Sequence, residues 1–498
     1  MQSVLAPVRI VLSDCWIAVV LAAALAGQAA VAAEAKLPLA KGDRIAIIGN
    51  TLADRMQHSG WLETYVHALY PDLDLVFRNL GFSADELKAR PREDNFGSPD
   101  QWLAKCQASV VLCFFGYNEA LKGPGQIGGF KKDLAATIDG MLGQKYDGKA
   151  TPRLVFCSPI AHENLKSPHL PDGSANNANL ELYTAAMREV CAAKKVAFVD
   201  LFTPTKELYA KAARPLTMNG IHLLEHGDRA VAGVIVRDLF GVERPQQDEA
   251  FLERLRQAVL DRNYYWFSRY RVVDGFNVFG GRSKLAWFGQ SNADVMMREM
   301  EIFDVMTANR DARVIAVAKG GDLVVKDDNL PSEVEVKTNI PGKLEGGKHQ
   351  YLGGKEAIGK MKIAEGMEVN LFASEEMFPE VVNPVQMAVD PDGRLFVAMW
   401  PSYPHWNPTE PRLDKIVCLP DDDGDGVADR CVTFADGLNS VTGFEFWGGG
   451  MIVAALPELW FLKDSDGDGK ADVKIRLLQG LCSADSHHSA NAMLVGPD

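Results

Sequence analysis

Four carboxylates recur at the same positions in each of two short acidic loops of this 498-residue chain. In DDDGDGVAD, residues Asp421, Asp423, Asp425 and Asp429 stand at positions 1, 3, 5 and 9. In DSDGDGKAD, residues Asp464, Asp466, Asp468 and Asp472 repeat that spacing. Carboxylates this close repel one another without a cation, and the glycines permit the sharp turn that gathers hard oxygen ligands around Ca²⁺. A full EF-hand loop carries a bidentate Glu at position 12; Val432 and Ile475 hold those positions here. The loops are therefore expected to bind Ca²⁺ as shorter turns, the alternative being a solvated acidic turn. A second group is aromatic and polar: Asn263-Tyr264-Tyr265-Trp266, Arg269-Tyr270-Arg271, Asn277, Arg282 and Gln290-Ser291-Asn292. Such residues line carbohydrate grooves. They equally pack one segment onto another, which is the favoured reading.

These residues need elements to position them. Between Lys41 and Gly241, apolar runs predict strands at Arg44–Ile48, Leu73–Arg78, Ser109–Phe115, Arg153–Ser158 and Val196–Leu201. Helical periodicity falls between and after them, at Ala53–Leu69, Phe130–Leu142, Asn179–Ala193 and Glu225–Leu239. Strand–helix alternation predicts a parallel sheet wrapped by helices, with any ligand at the carboxyl ends of the strands. Residues 242–331 read as an extension with helices at Glu249–Arg262 and Ala293–Thr307. Residues 332–360, rich in Gly, Lys and Glu, read as a linker. From Met361 the chain is β-rich. The acidic loops recur at a period of about 43 residues, and QMAVDPD (Gln386–Asp392) is echoed by AMLVGPD (Ala492–Asp498). That period fits β-propeller blades, here two of them, which predicts a partial β-propeller over 361–498.

The formal net charge of −14 argues against a nucleic-acid binder, whose mark is a basic face. Arg9, the apolar run Ile17–Ala26 and the small residues Ala30-Val31-Ala32-Ala33 read as a signal peptide over residues 1–33, and hence an exported protein. An uncleaved anchor is the alternative. The run is about ten residues where a spanning helix needs roughly 20, and no later stretch is long enough. Seven cysteines remain after Cys15, with no CxxC pair; Cys418 and Cys431 flank an acidic loop and could pair.

Over residues 41–241 the chain resembles the SGNH/GDSL hydrolases in four places. These are Gly49-Asn50-Thr51-Leu52 after the first strand, Asn79-Leu80-Gly81 after the second, Gly116-Tyr117-Asn118-Glu119 after the third, and Asn219-Gly220-Ile221-His222 before the last helix. The resemblance implies a flavodoxin-like three-layer α/β domain. It also implies a catalytic set: Thr51 in the nucleophile position, Gly81 and Asn118 as oxyanion donors, His222 as base, and Asn219 where the family has the orienting Asp. Thr51 replaces a serine, and an amide cannot stabilise an imidazolium as a carboxylate does. Three readings stand: an atypical esterase, a domain of this fold that binds ligand without turnover, and a different reaction on the same scaffold. An acylated carbohydrate is the expected partner.

The acidic loops are similar to dockerin-like and thrombospondin-like calcium turns. Ser486-His487-His488-Ser489-Ala490-Asn491, ahead of Gly496-Pro497-Asp498, resembles the glucose/sorbosone dehydrogenase propellers. That resemblance implies His488 as the base beside a pyrroloquinoline quinone. Residues 361–498 also resemble the start of a family of membrane-bound dehydrogenases. The rival expectation is thus a sugar or alcohol dehydrogenase whose α/β domain only binds. A calcium-held scaffold is a third.

Overall fold

The computed structural model describes residues 37–242, 244–336, 343–483, 485–486 and 488–496. The expected signal segment 1–33, His487, Pro497, Asp498 and residues 337–342 of the expected linker lie outside the described residues.

The apolar runs form strands β1 (Arg44–Gly49), β2 (Val76–Asn79), β3 (Val110–Phe114), β4 (Arg153–Cys157) and β5 (Ala197–Val199). They make one parallel sheet in the order β2-β1-β3-β4-β5. This is the flavodoxin-like order, with its switch point between β1 and β3. Alternate strand residues feed two separate cores. Ile45, Ile47, Val110, Leu112 and Phe114 face one, while Ala46, Ile48, Val111 and Cys113 face the other. A sheet covered on both faces needs continuous apolar runs, which is why these strands were legible.

Helices α1 (Thr51–Ser59), α2 (Trp61–Leu69), α3 (Pro99–Lys105), α4 (Tyr117–Ala120), α5 (Ile127–Leu142), α6 (Ser174–Lys194), α7 (Phe202–Lys211) and α8 (Glu225–Phe240) accompany the sheet. α1, α2 and α8 supply one core; α5 and α6 supply the other. The single helix expected over Ala53–Leu69 is two. Gly60 adopts φ 71°, and its N–H closes α1 on the Met56 carbonyl at 2.9 Å.

The extension holds α9 (Glu249–Arg271), α10 (Gly275–Val278), the two-residue strands β6 (Ala286–Trp287) and β7 (Gln290–Ser291), and α11 (Asn292–Ala318). α9 continues well past Arg262 because its aromatic half is a packing surface. Trp266 Nε1 donates to the Asn79 carbonyl at 2.6 Å, and Tyr270 Oη to that of Leu80 at 3.1 Å. Both lie at the carboxyl end of β2. Arg262, 1% exposed, bonds Glu63 and Asp311, and Asp311 also takes a two-pronged bond from Arg78 at 3.0 and 2.5 Å.

The last region is two four-stranded antiparallel meanders. β8 (Pro384–Val389), β9 (Leu395–Met399), β10 (Asp414–Leu419) and β11 (Val432–Leu438) form one. β12 (Val441–Trp447), β13 (Gly450–Ala455), β14 (Glu458–Lys463) and β15 (Val473–Gln479) form the other. They share a core of Phe396, Ile416, Phe434, Phe444 and Val453 and do not close into a barrel. The acidic loops occupy equivalent places, between the third and fourth strand of each meander. Cys418 and Cys431 are free thiols, contrary to the pairing considered above. Cys418 is paired in register with Val432, so its neighbour Cys431 points to the opposite face of the sheet.

Candidate active site

The first βα turn is forced by its residues. Gly49 has φ 139°, and a Cβ there would stand 2.0 Å from the Phe114 carbonyl oxygen. Only glycine lets β1 end this close to β3. Asn50 then caps α1, its Oδ1 accepting from Leu52 N–H at 3.1 Å, and Thr51 is the first helical residue. Thr51 Oγ1 accepts from the Ala84 N–H at 3.2 Å, and the Ala84 carbonyl accepts from Asn118 Nδ2 at 3.1 Å. Glu119 fixes this loop from beneath. Its carboxylate accepts from Gly116 N–H and Leu87 N–H, both at 2.9 Å, and burial raises its pKa. Gly81 is placed differently from the expectation: its N–H donates to Asn79 Oδ1 at 2.8 Å instead of facing the turn.

His222 sits on a short hairpin bridged between Thr217 and Leu223. The buried Glu163 anchors the hairpin by accepting from Thr217 N–H at 2.7 Å and Thr217 Oγ1 at 2.6 Å. Asn219 Oδ1 accepts from His222 N–H at 3.0 Å, while His222 Nδ1 lies 3.0 Å from Asn219 Nδ2 and 3.1 Å from Oδ1. Burial, assisted by the Arg55 charge, lowers the pKa of His222 below its ordinary value, so the ring is neutral at pH 7.

Thr51, Asn118 and His222 line one cleft of about 680 Å³ at the carboxyl ends of β1 and β3. Among the described residues no hydrogen bond yet joins Thr51 to His222. α1 contributes Thr51, Arg55 and His58, spaced so that one helical face looks into the cleft. The opposite wall comes from the second meander: Trp460 of β14 and Lys474, Ile475, Arg476 and Gln479 of β15.

Solved structures similar to this chain include BT4096, a gut microbial diltiazem-metabolizing enzyme, at 19% identity and TM-score 0.34, covering 42% of this chain and 49% of that one. Axe2, an acetylxylan esterase from Geobacillus stearothermophilus, matches at 14% and 0.33 over 42% of this chain and 100% of its own. LAE5, an alpha/beta hydrolase enzyme from the metagenome of Lake Arreo, Spain, matches at 17% and 0.30 over 40% and 96%. The chain spans about half the length of the first of these. No curated protein matches in sequence. Residues 354–498 match a family described as a domain of unknown function (DUF7133). On its strand order, the α/β domain has a flavodoxin-like fold.

Beyond the α/β domain, oxygen atoms of Asp421, Asp423 and Asp429 lie within 4.8 Å of one another, as do those of Asp464, Asp466 and Asp472. The fifth-position residues Asp425 and Asp468 stand apart from these groups and accept from Val427 N–H and Lys470 N–H, each at 2.8 Å. A donor set of three converging carboxylates suits a hard divalent cation. His488 has a side chain 76% exposed, its Nδ1 2.9 Å from Asp485 Oδ2. It lines neither cleft between the α/β domain and the second meander. Among the described residues no wall encloses this exposed imidazole, so it does not fit a base held against a quinone ring.

Sequence reasoning missed Arg55, His58, Asp228 and the β14–β15 wall. Asp228 of α8 is buried at the cleft, accepts from Ser59 Oγ, and is pushed up to about 7 by burial. Its only sequence signal was an acidic residue on the apolar face of a helix.

Proposed function

We propose that the chain is an exported ester hydrolase of SGNH type acting on an acylated carbohydrate. The observation that carries the reading is the convergence of Thr51, Asn118 and a neutral His222 on one cleft. In this reaction Thr51 Oγ1 attacks the ester carbonyl, and His222 Nε2 takes its proton and returns it to the departing sugar hydroxyl. The C–O bond of the ester breaks and an acyl-threonine forms. Water, activated by His222, then cleaves that intermediate to free acid. The N–H of Ala84 already orients Thr51 Oγ1. The second Nδ2 proton of Asn118 and the N–H of Thr51 at the start of α1 are the donors suited to the oxyanion. Gly81, engaged with Asn79, serves the turn instead. Asn219 positions the ring without stabilising its charge, so the rate is modest.

The acidic loops, in the same proposal, hold two Ca²⁺ ions that brace propeller-like blades. The test of function is acetate release from acetylated xylan by the purified protein beside His222→Ala. Release that vanishes in the variant supports the reading; equal release from both overturns it.

A further inference from the structure

The cleft carries more positive charge than its own carboxylates neutralise. Four cationic side chains line it, Arg55, Arg256, Lys474 and Arg476, against Glu225 and Asp228. Arg256 is engaged with Glu253 at 2.8 Å, with Glu225 at 3.5 Å and with the Ser59 carbonyl at 3.1 Å. Arg476 Nε forms an ion pair with Glu458 Oε1 at 2.9 Å, and its Nη1 donates to Gln479 Oε1 at 3.1 Å. Arg55 and Lys474 form no ion pair among the described residues. Asp228, raised to about 7, carries at most part of a charge near neutrality.

Buried nitrogens of the cleft lining without a hydrogen-bond partner include Arg55 Nε and His58 Nε2. A buried donor without an acceptor costs about 1–3 kcal/mol, and more when charged, unless a ligand supplies the acceptor. Crowding points the same way. Burial, then the charges of Arg476, Arg55 and Arg271, holds His58 well below its ordinary pKa. Across the cleft, Lys474 Nζ and the Arg476 guanidinium lie over the Trp460 ring, 4.9 and 5.0 Å from its centre. Cation–π attraction to the ring holds the two cations together at the cleft, an arrangement that suits a sugar bearing an anionic group.

We propose that the β14–β15 wall and Arg55 select an anionic sugar, one whose ring lies near Trp460 while its carboxylate or sulfate meets Arg55, Lys474 and Arg476. The proposal rests on the reading that this cleft takes carbohydrate, but it concerns binding and not turnover. The second meander is then part of the site.

Calorimetric titration of the full chain tests it with three probes: tri-galacturonate, a sulfated galactose oligomer and neutral xylotriose. At least one acidic probe should bind about tenfold or more tightly than xylotriose, and the preference should fall severalfold between 50 mM and 500 mM salt, as charge screening requires. Lys474→Gln combined with Arg55→Gln should remove most of it. Lys211→Gln, which deletes a remote exposed charge on α7, should leave it intact. The two acidic arms separate carboxylate from sulfate recognition. Thermal melts confirm that each variant folds, and Lys474→Gln alone, on an exposed strand position, serves if the double variant does not. Equal affinity for neutral and acidic probes, or an undiminished preference in a folded Lys474→Gln variant, overturns the proposal. Acidic-sugar binding without ester turnover would sink the hydrolase reading alone; turnover of neutral acetylated xylan without acidic preference would sink this one alone.

Discussion

His222 Nδ1 is held by the side chain of Asn219, at 3.0 Å from the amide nitrogen and 3.1 Å from its oxygen. An amide fixes the ring's position yet offers no charge to an imidazolium. Replacing the orienting Asp by Asn in serine proteases lowers the rate about 10⁴-fold, so Asn219→Asp should raise kcat on a simple acetate ester by one or more orders of magnitude. The new carboxylate should also raise the pKa of His222. Unchanged kcat with an unmoved pH profile would show that His222 is not the base.

The pH profile of the unmodified protein follows from the same ring. Burial and Arg55 favour its neutral form. Activity that needs the neutral base should therefore persist below pH 6.5 and fall only at more acid pH. An acid limb at or above the ordinary histidine value contradicts the assignment.

Asp228 gives a stability counterpart of opposite sign. Its folded pKa of about 7 lies above the unfolded carboxyl value. The neutral form is favoured in the fold, so this group's contribution is complete below the unfolded pKa, near 4, and is lost as pH rises toward 7. Asp228→Asn should remove that dependence and stabilise the protein at pH 8 by about 1–4 kcal/mol. Denaturant melts at pH 5 and pH 8 decide the matter; a variant less stable at pH 8 contradicts it.

How much of this was legible in the sequence depends on range. β3 and β4 were readable because burial on both faces demands unbroken apolar runs. The turn at Gly49 and the Asn219–His222 pair were readable because their partners lie within a few residues. Gly60 was not, since apolar spacing continues across it while the backbone turns left-handed. The buried network of Arg262, Glu63 and Asp311 was not legible, because nothing local tells that residues some 200 positions apart meet in a dry interface. The β15 wall was hidden for the same reason.

That interface makes a prediction of its own. Arg262→Ala leaves Glu63 and Asp311 buried without one of their cations, and should cost about 3–5 kcal/mol. A loss under 1 kcal/mol in chemical denaturation would mean that α9 is not welded to α2.

The acidic loops predict a calcium-dependent stability. Chelation should lower the melting temperature of the β region, and millimolar Ca²⁺ should restore it in the unmodified protein but not in Asp421→Asn/Asp464→Asn. A melt indifferent to both treatments contradicts a bound cation.

The central claim is that Thr51 and His222 work as one unit on an ester. Residues that act together lose the same rate singly or jointly. The direct measurement is kcat/KM on p-nitrophenyl acetate for the protein, Thr51→Val, His222→Ala and the double variant. The account predicts a loss of about 10²-fold or more in each single variant and no further loss in the double. Full activity in Thr51→Val, or losses that multiply in the double variant, would contradict it.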